Sequence, residues 1–125
     1  MKILLLIHIA TTLFLLSCHL MSSDNVKVFM PGVYARHYTD EYTNSYDTIT
    51  IQLIAGGDEY NVIERTRFEK VTDNGKMQPG YSIQKWTGSY DDRNKSLWLQ
   101  QAGRAIRFNP AKKELITGTQ PYKKL

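Results

Sequence analysis

The sequence predicts an all-β domain: an antiparallel meander of seven or eight short strands, closed into a small barrel and preceded by a cleaved signal peptide. Three observations predict it. Residues 48 to 54 alternate, with Ile49, Ile51 and Leu53 on one side and Thr50 and Gln52 on the other, which is the period of a half-buried strand. Gly, Asn and Asp recur at short intervals, as turns do in all-β chains. No stretch beyond the first residues keeps a sustained helical period. Short turns favour a barrel, which removes exposed sheet edges, over a two-layer sandwich, which needs longer cross-connections.

The elements follow in order. Val33 to His37 forms a first strand and Thr48 to Ile54 a second. Gly56-Gly57-Asp58 is a hairpin turn, because glycine accepts positive φ. Tyr60 to Val71 and Tyr81 to Tyr90 are long strands, the latter carrying Trp86. Asp91 to Asn94 turns the chain into Ser96 to Gln101, where Leu97 and Leu99 alternate with Trp98. Gly103 turns again, and Arg104 to Phe108 alternates. Asn109-Pro110-Ala111-Lys112 is a turn, since proline presets its dihedral. Glu114 to Thr117 is a strand, Gly118 turns, and Tyr122 to Leu125 closes the sheet. Ile49, Ile51, Leu53, Ile63, Ile83, Leu97 and Leu99 are the expected inward-facing residues, bulky enough to fill an eight-stranded barrel.

The N-terminus has its own logic. Lys2 precedes an apolar stretch, Ile3 to Leu16, laid out as a secretory signal. It is shorter than the roughly 20 apolar residues of a membrane span. Leu15-Leu16-Ser17-Cys18 resembles the bacterial lipobox, with Leu16 bulkier than its strictest form. The resemblance implies cleavage before Cys18 and a diacylglycerol on its sulfur. Cys18 is the only cysteine, so no intramolecular disulfide can form, and acylation would explain a lone thiol in an exported chain. The domain plan is then a signal peptide at 1–17, a lipidated tether at 18–25 and one barrel domain at 26–125. The tether carries no dense acidic cluster of the kind that resembles surface-export signals, so the expected location is the cell envelope, at the outer membrane and facing the periplasm.

Charge excludes little. Losing Lys2 leaves 15 basic residues against 12 acids, too scattered for a nucleic-acid face. Lys112-Lys113 and Lys123-Lys124 suit solubilised turns or strand edges; contact with anionic lipid is their other reading.

The lipobox, the GVY of the first strand, DTITIQ in the second and the closing YKKL together look like small Bacteroidota envelope lipoproteins with lipocalin-like barrels. That resemblance implies fold and place, and brings no catalytic residues. Gly56-Gly57-Asp58-Glu59-Tyr60 resembles the motif of GGDEF-type diguanylate cyclases, which would put metal at Asp58 and Glu59. That domain is much longer, is α/β and has further site residues upstream, so the match is read as coincidence.

Other chemistry is sparse. His37 is the only histidine in the domain, without His or Cys at ligand spacing, so no metal or cofactor is expected. Asp40-Glu41 and Asp91-Asp92 are adjacent loop acids, and no serine or threonine lies in a nucleophile elbow. The chain is therefore expected to be no enzyme. Its aromatic residues are core formers or a recognition face. Trp86, Trp98 and Tyr81 are the candidate partner or ligand contacts, with Trp98 pointing outward if Leu97 and Leu99 face the core. The expected function is a non-enzymatic interaction module, lipid-anchored at Cys18, with a protein partner in the envelope. The alternative is a carrier of a small apolar ligand.

Overall fold

The computed structural model describes residues 24–54 and 56–125. The signal peptide, Cys18 and the tether up to residue 23 lie outside the described residues. A short helix, α1 (Asn25–Phe29), precedes eight strands: β1 (Gly32–Thr39), β2 (Thr43–Leu53), β3 (Glu59–Val71), β4 (Met77–Asp91), β5 (Ser96–Leu99), β6 (Arg104–Asn109), β7 (Glu114–Ile116) and β8 (Tyr122–Lys124). Each strand pairs antiparallel with the next, and β8 returns to β1, so the meander closes into a barrel. The predicted fold class is the observed one.

Inward and outward residues alternate, and the register fixes which is which. Tyr34 pairs with Ile49, and Ile51 with Val62. Gly88 pairs with Leu99, Leu97 with Ile106, and Leu115 with Tyr122. All are buried, at one end of the barrel. Gly88 is required there: a Cβ on it would stand 2.7 Å from the Leu97 Cγ. Ile49, Ile51, Leu97 and Leu99 face the core as expected. Leu53, Ile63 and Ile83 do not. Leu53 sits at the last rung of β2 and is 54% exposed, whereas Ile83 is outward on β4 and 48% exposed. Ile63 pairs with Thr50 and Lys85, on the outer face. The inward set of β3 is instead Tyr60, Val62 and Glu64, and that of β4 includes Trp86 and Gly88.

Helix α1 closes the apolar end. Asp24 caps it, its carboxylate accepting from the Val26 and Lys27 N–H groups at 3.1 and 3.2 Å. The same side chain takes the Tyr90 hydroxyl at 2.5 Å and the Lys95 ammonium at 3.0 Å. At the other end of α1, the Tyr34 hydroxyl donates to the Met30 and Phe29 carbonyls, and Lys124 donates to Phe29 O at 2.5 Å. Phe29 packs edge-on against Tyr34 and Phe108. Five residues are too few for a helical period to show in the sequence.

The strands are unequal. β5 pairs only with Gly88–Asp91 of β4, and β8 only with Tyr34 and Ala35 of β1. The far halves of β1 to β4 therefore project beyond the closed part as a four-stranded sheet. This projection ends in the β1–β2 turn at Asp40 and the β3–β4 turn at residues 72–76.

Candidate functional site

Two regions hold side chains that could bind something: the interior of the barrel beyond its apolar end, and the outer face of the projecting sheet. The interior is polar there because inward positions on four strands carry charge. Asp47 is buried and accepts from Arg36 through Nη2 at 2.6 Å and Nε at 3.2 Å, and from Ser45 Oγ at 2.7 Å. The Arg36 guanidinium lies 4.3 Å from the Tyr122 ring centre. Opposite, Glu64 takes Arg104 Nη2 at 2.8 Å and Trp86 Nε1 at 3.4 Å, and Arg104 also reaches Thr117. Each charge has its partner, and among the described residues no buried side-chain polar atom lacks one. Burial pushes the Tyr122 phenol up to about 12 and raises Tyr34 further. Both phenols therefore stay neutral across the ordinary pH range.

The outer face differs. His37 pairs with Tyr46, Tyr46 with Arg67, and Arg67 with Tyr81, so one row crosses all four strands. The His37 and Tyr46 rings stack at 4.3 Å and 3°. His37 Nε2 is held by Asn44 Oδ1 at 2.6 Å and Thr39 Oγ1 at 3.0 Å, which fixes the ring. The next row towards the barrel is Ala35, Thr48, Arg65 and Ile83, and beyond it Ile63 pairs with Lys85. Tyr46 is 52% and Tyr81 62% exposed. Arg65, Arg67 and Lys85 form no ion pair among the described residues. A groove of ≈ 480 Å³ opens at this end beside Asn44, Tyr46, Arg67, Phe68 and Glu69. A second, of ≈ 330 Å³, shares Arg67, Phe68 and Glu69 and continues to Pro79, Gly80 and Tyr81. Gly80, on the inner side of the sheet with its partner Phe68, has no room for a side chain. A Cβ there would fall 2.3 Å from the Phe68 ring, which lies over the bare backbone.

The three aromatic contacts expected from the sequence do not form one patch. Tyr81 is in the outer row. Trp86 is on the inner side of β4, half-buried and tied to Glu64. Trp98 points outward, 44% exposed, between Ser89 and Ala105. Ser89 is eight residues along β4 from Tyr81, about 26 Å at strand rise. Cys18 lies outside the described residues. Sequence reading missed His37, Tyr46, Arg65 and Arg67, because only the register brings them together.

The Gly56-Gly57-Asp58 stretch is the β2–β3 turn, with both glycines at positive φ, 120° and 114°. Asp58 is held by Lys27 at 2.6 Å, linking the turn to α1. Among the described residues no group of three or more His, Cys, Asp or Glu side chains is placed to hold a metal. No known family, curated protein or solved structure matches this chain.

Proposed function

We propose that the protein is a lipid-anchored bacterial envelope protein whose barrel serves as a non-enzymatic interaction module. The observation that carries this reading is the exposed row His37–Tyr46–Arg67–Tyr81, with Arg65 and Lys85 beside it and no acid pairing them. Aromatic rings and arginines are the residues that anchor protein interfaces: the rings bury much area at low entropy cost, and the guanidinium presents a planar fork of donors. Unpaired cations add steering towards an acidic partner.

Position supports the same reading. Asp24 comes six residues after Cys18, a reach of about 20 Å at most. With Cys18 acylated, α1 and the apolar end of the barrel would stand next to the bilayer. The outer row, at the opposite end, would then point away from it. An apolar-ligand carrier is favoured less, because the interior beyond the core rings holds Arg36, Asp47, Glu64 and Arg104 in satisfied pairs. An apolar ligand there would face charges it cannot pair.

The test is to express the full-length protein with a C-terminal tag, extract it gently from its own envelope and identify what travels with it by mass spectrometry. The mass of the peptide at residue 18 reads the anchor in the same sample. A stoichiometric protein partner that is lost in the Arg67→Glu variant is the expected result. A bound small molecule with no protein would overturn it in favour of the carrier, and an unmodified Cys18 would remove the anchor.

A further inference from the structure

The projecting sheet has a free edge as well as a face. From Met77 to Thr87, β4 has β3 on one side and, among the described residues, no strand on the other. The backbone on that side can be assigned. The Thr87 N–H points to it, donating to Gln101 Oε1 at 3.2 Å. In an antiparallel strand the N–H and C=O of one residue point the same way, and the direction alternates along the chain. The β3–β4 register runs unbroken from Glu59↔Ser89 to Val71↔Met77. Lys85, Ile83, Tyr81, Pro79 and Met77 therefore share the direction of Thr87. Pro79 agrees with this, since a proline without N–H is tolerated where a strand faces no neighbour. Among the described residues, Tyr81, Ile83 and Lys85 are left with three successive unpaired N–H and C=O pairs.

We propose that this edge of β4, Tyr81 to Lys85, receives an extended acidic segment of a protein partner as an added strand. The inference rests on the projecting sheet being the binding region and names the form of what it binds. Backbone pairing supplies affinity in strand addition, and alternate side chains supply specificity. Here the side chains next to the added strand would be Tyr81, Ile83 and Lys85, with Arg65 and Arg67 one strand further in. Tyr81 and Ile83 give apolar contact, and the three cations favour acids at alternate positions of the incoming segment. The same cations weigh against a second copy of this chain, because edge-to-edge pairing would gather Lys85, Arg65 and Arg67 of both copies on one continuous face.

The test selects peptides from a displayed library of random 12-residue sequences on the full-length protein in detergent, and follows amide hydrogen exchange on binding. Enrichment of sequences alternating acidic with apolar residues is expected, with new protection at the Ile83 and Lys85 amides. Ile83→Pro removes an outward N–H and no bond to β3, so the fold is kept, as thermal unfolding will show. That variant should bind the selected peptides about tenfold more weakly, the loss of a backbone hydrogen bond or two. The Arg65→Glu, Arg67→Glu pair should reverse the charge preference. Selected peptides that bind Ile83→Pro as well as the parent, but fail on the arginine variant, would overturn strand addition and leave the face as the binding surface. Selection of no acidic sequences, or binding indifferent to both variants, would overturn the proposal and its parent reading together.

Discussion

Arg36 grips Asp47 with two guanidinium nitrogens, at 2.6 and 3.2 Å, where the Asp47 side chain is only 7% exposed. The pair sits on one rung of the β1–β2 ladder and divides the apolar end of the barrel from its projecting half. Asp47→Ala would leave the Arg36 charge half-buried over the Tyr122 ring with no acid opposite. Breaking a buried pair from one side costs about 3–5 kcal/mol, because the remaining charge stays desolvated. The exposed part of Arg36 puts the expectation near the lower figure. Replacing both, as Arg36→Met with Asp47→Leu, should recover most of the loss. Chemical denaturation of the parent, Asp47→Ala and the double variant checks this. Equal costs for the single and double changes would show that the pair does not act as a unit.

A second expectation concerns Gly88. Gly88→Ala places a methyl 2.7 Å from Leu97 Cγ, inside a fully buried cluster. Overpacking of this kind costs about 1–3 kcal/mol. Leu97→Ala alone should cost about 2–5 kcal/mol by leaving a cavity. Combining the two should cost less than their sum, since each relieves the other. Denaturation midpoints of the single and double variants measure that coupling.

How much of this was legible beforehand follows from the same side chains. The second half of β2 announces itself because Ile49 and Ile51 alternate with threonines. Its first half, Thr43 to Asp47, does not, because the inward residues are Ser45 and Asp47 and polarity no longer marks the inside. The start of β4 is hidden for another reason: proline and glycine are unusual inside a strand, yet Pro79 lies on a free edge and Gly80 under Phe68. Trp98 could be placed outward from its two leucine neighbours. The row from His37 to Tyr81 could not be found, because it is a product of cross-strand register over residues up to 44 apart, and register leaves no local pattern. For the same reason Ile63 and Ile83 misled: an isoleucine in a strand does not say which face it is on.

Protonation of Asp24 in acid, and deprotonation of Tyr34 and Tyr90 in alkali, should each loosen α1. The hydrogen bond from Tyr90, with help from Lys95, holds the Asp24 carboxyl well below the ordinary carboxylate range. A depressed acid contributes stability that is present above its unfolded value and is lost as pH falls through its folded one. Burial raises Tyr34, Tyr90 and Tyr122 above the usual phenol range, Tyr122 to about 12. Their contribution is present below the unfolded value and is lost as pH rises through the folded values. Stability should therefore fall off in strong acid and again above the ordinary tyrosine range. Asp24→Asn keeps a capping oxygen but no charge, so it should flatten the acid limb and, because the Asp24 charge helps to hold the Tyr90 proton, move part of the alkaline limb to lower pH. Ultraviolet titration should show a fraction of phenol still neutral above the ordinary tyrosine range, the fraction contributed by Tyr34, Tyr90 and Tyr122.

The two tryptophans report the two sides of the barrel and can decide between an occupied interior and an occupied surface. Trp86 is inside, donating to Glu64; Trp98 is outside on the opposite side of the sheet. In Trp98→Phe only Trp86 emits, and its emission should be bluer and less accessible to acrylamide than that of Trp98 in Trp86→Phe. A neutral apolar probe such as a long-chain fatty alcohol would have to pass Trp86 and the Glu64–Arg104 pair to enter the barrel. The charged lining should prevent it, so the Trp86 emission of the Trp98→Phe protein is expected to stay constant as probe is added. A saturable change with one probe per chain would show a binding cavity beside Trp86 and would favour the carrier. A constant signal, with the thermal unfolding of that variant close to the parent, would place any binding by this protein on its exterior.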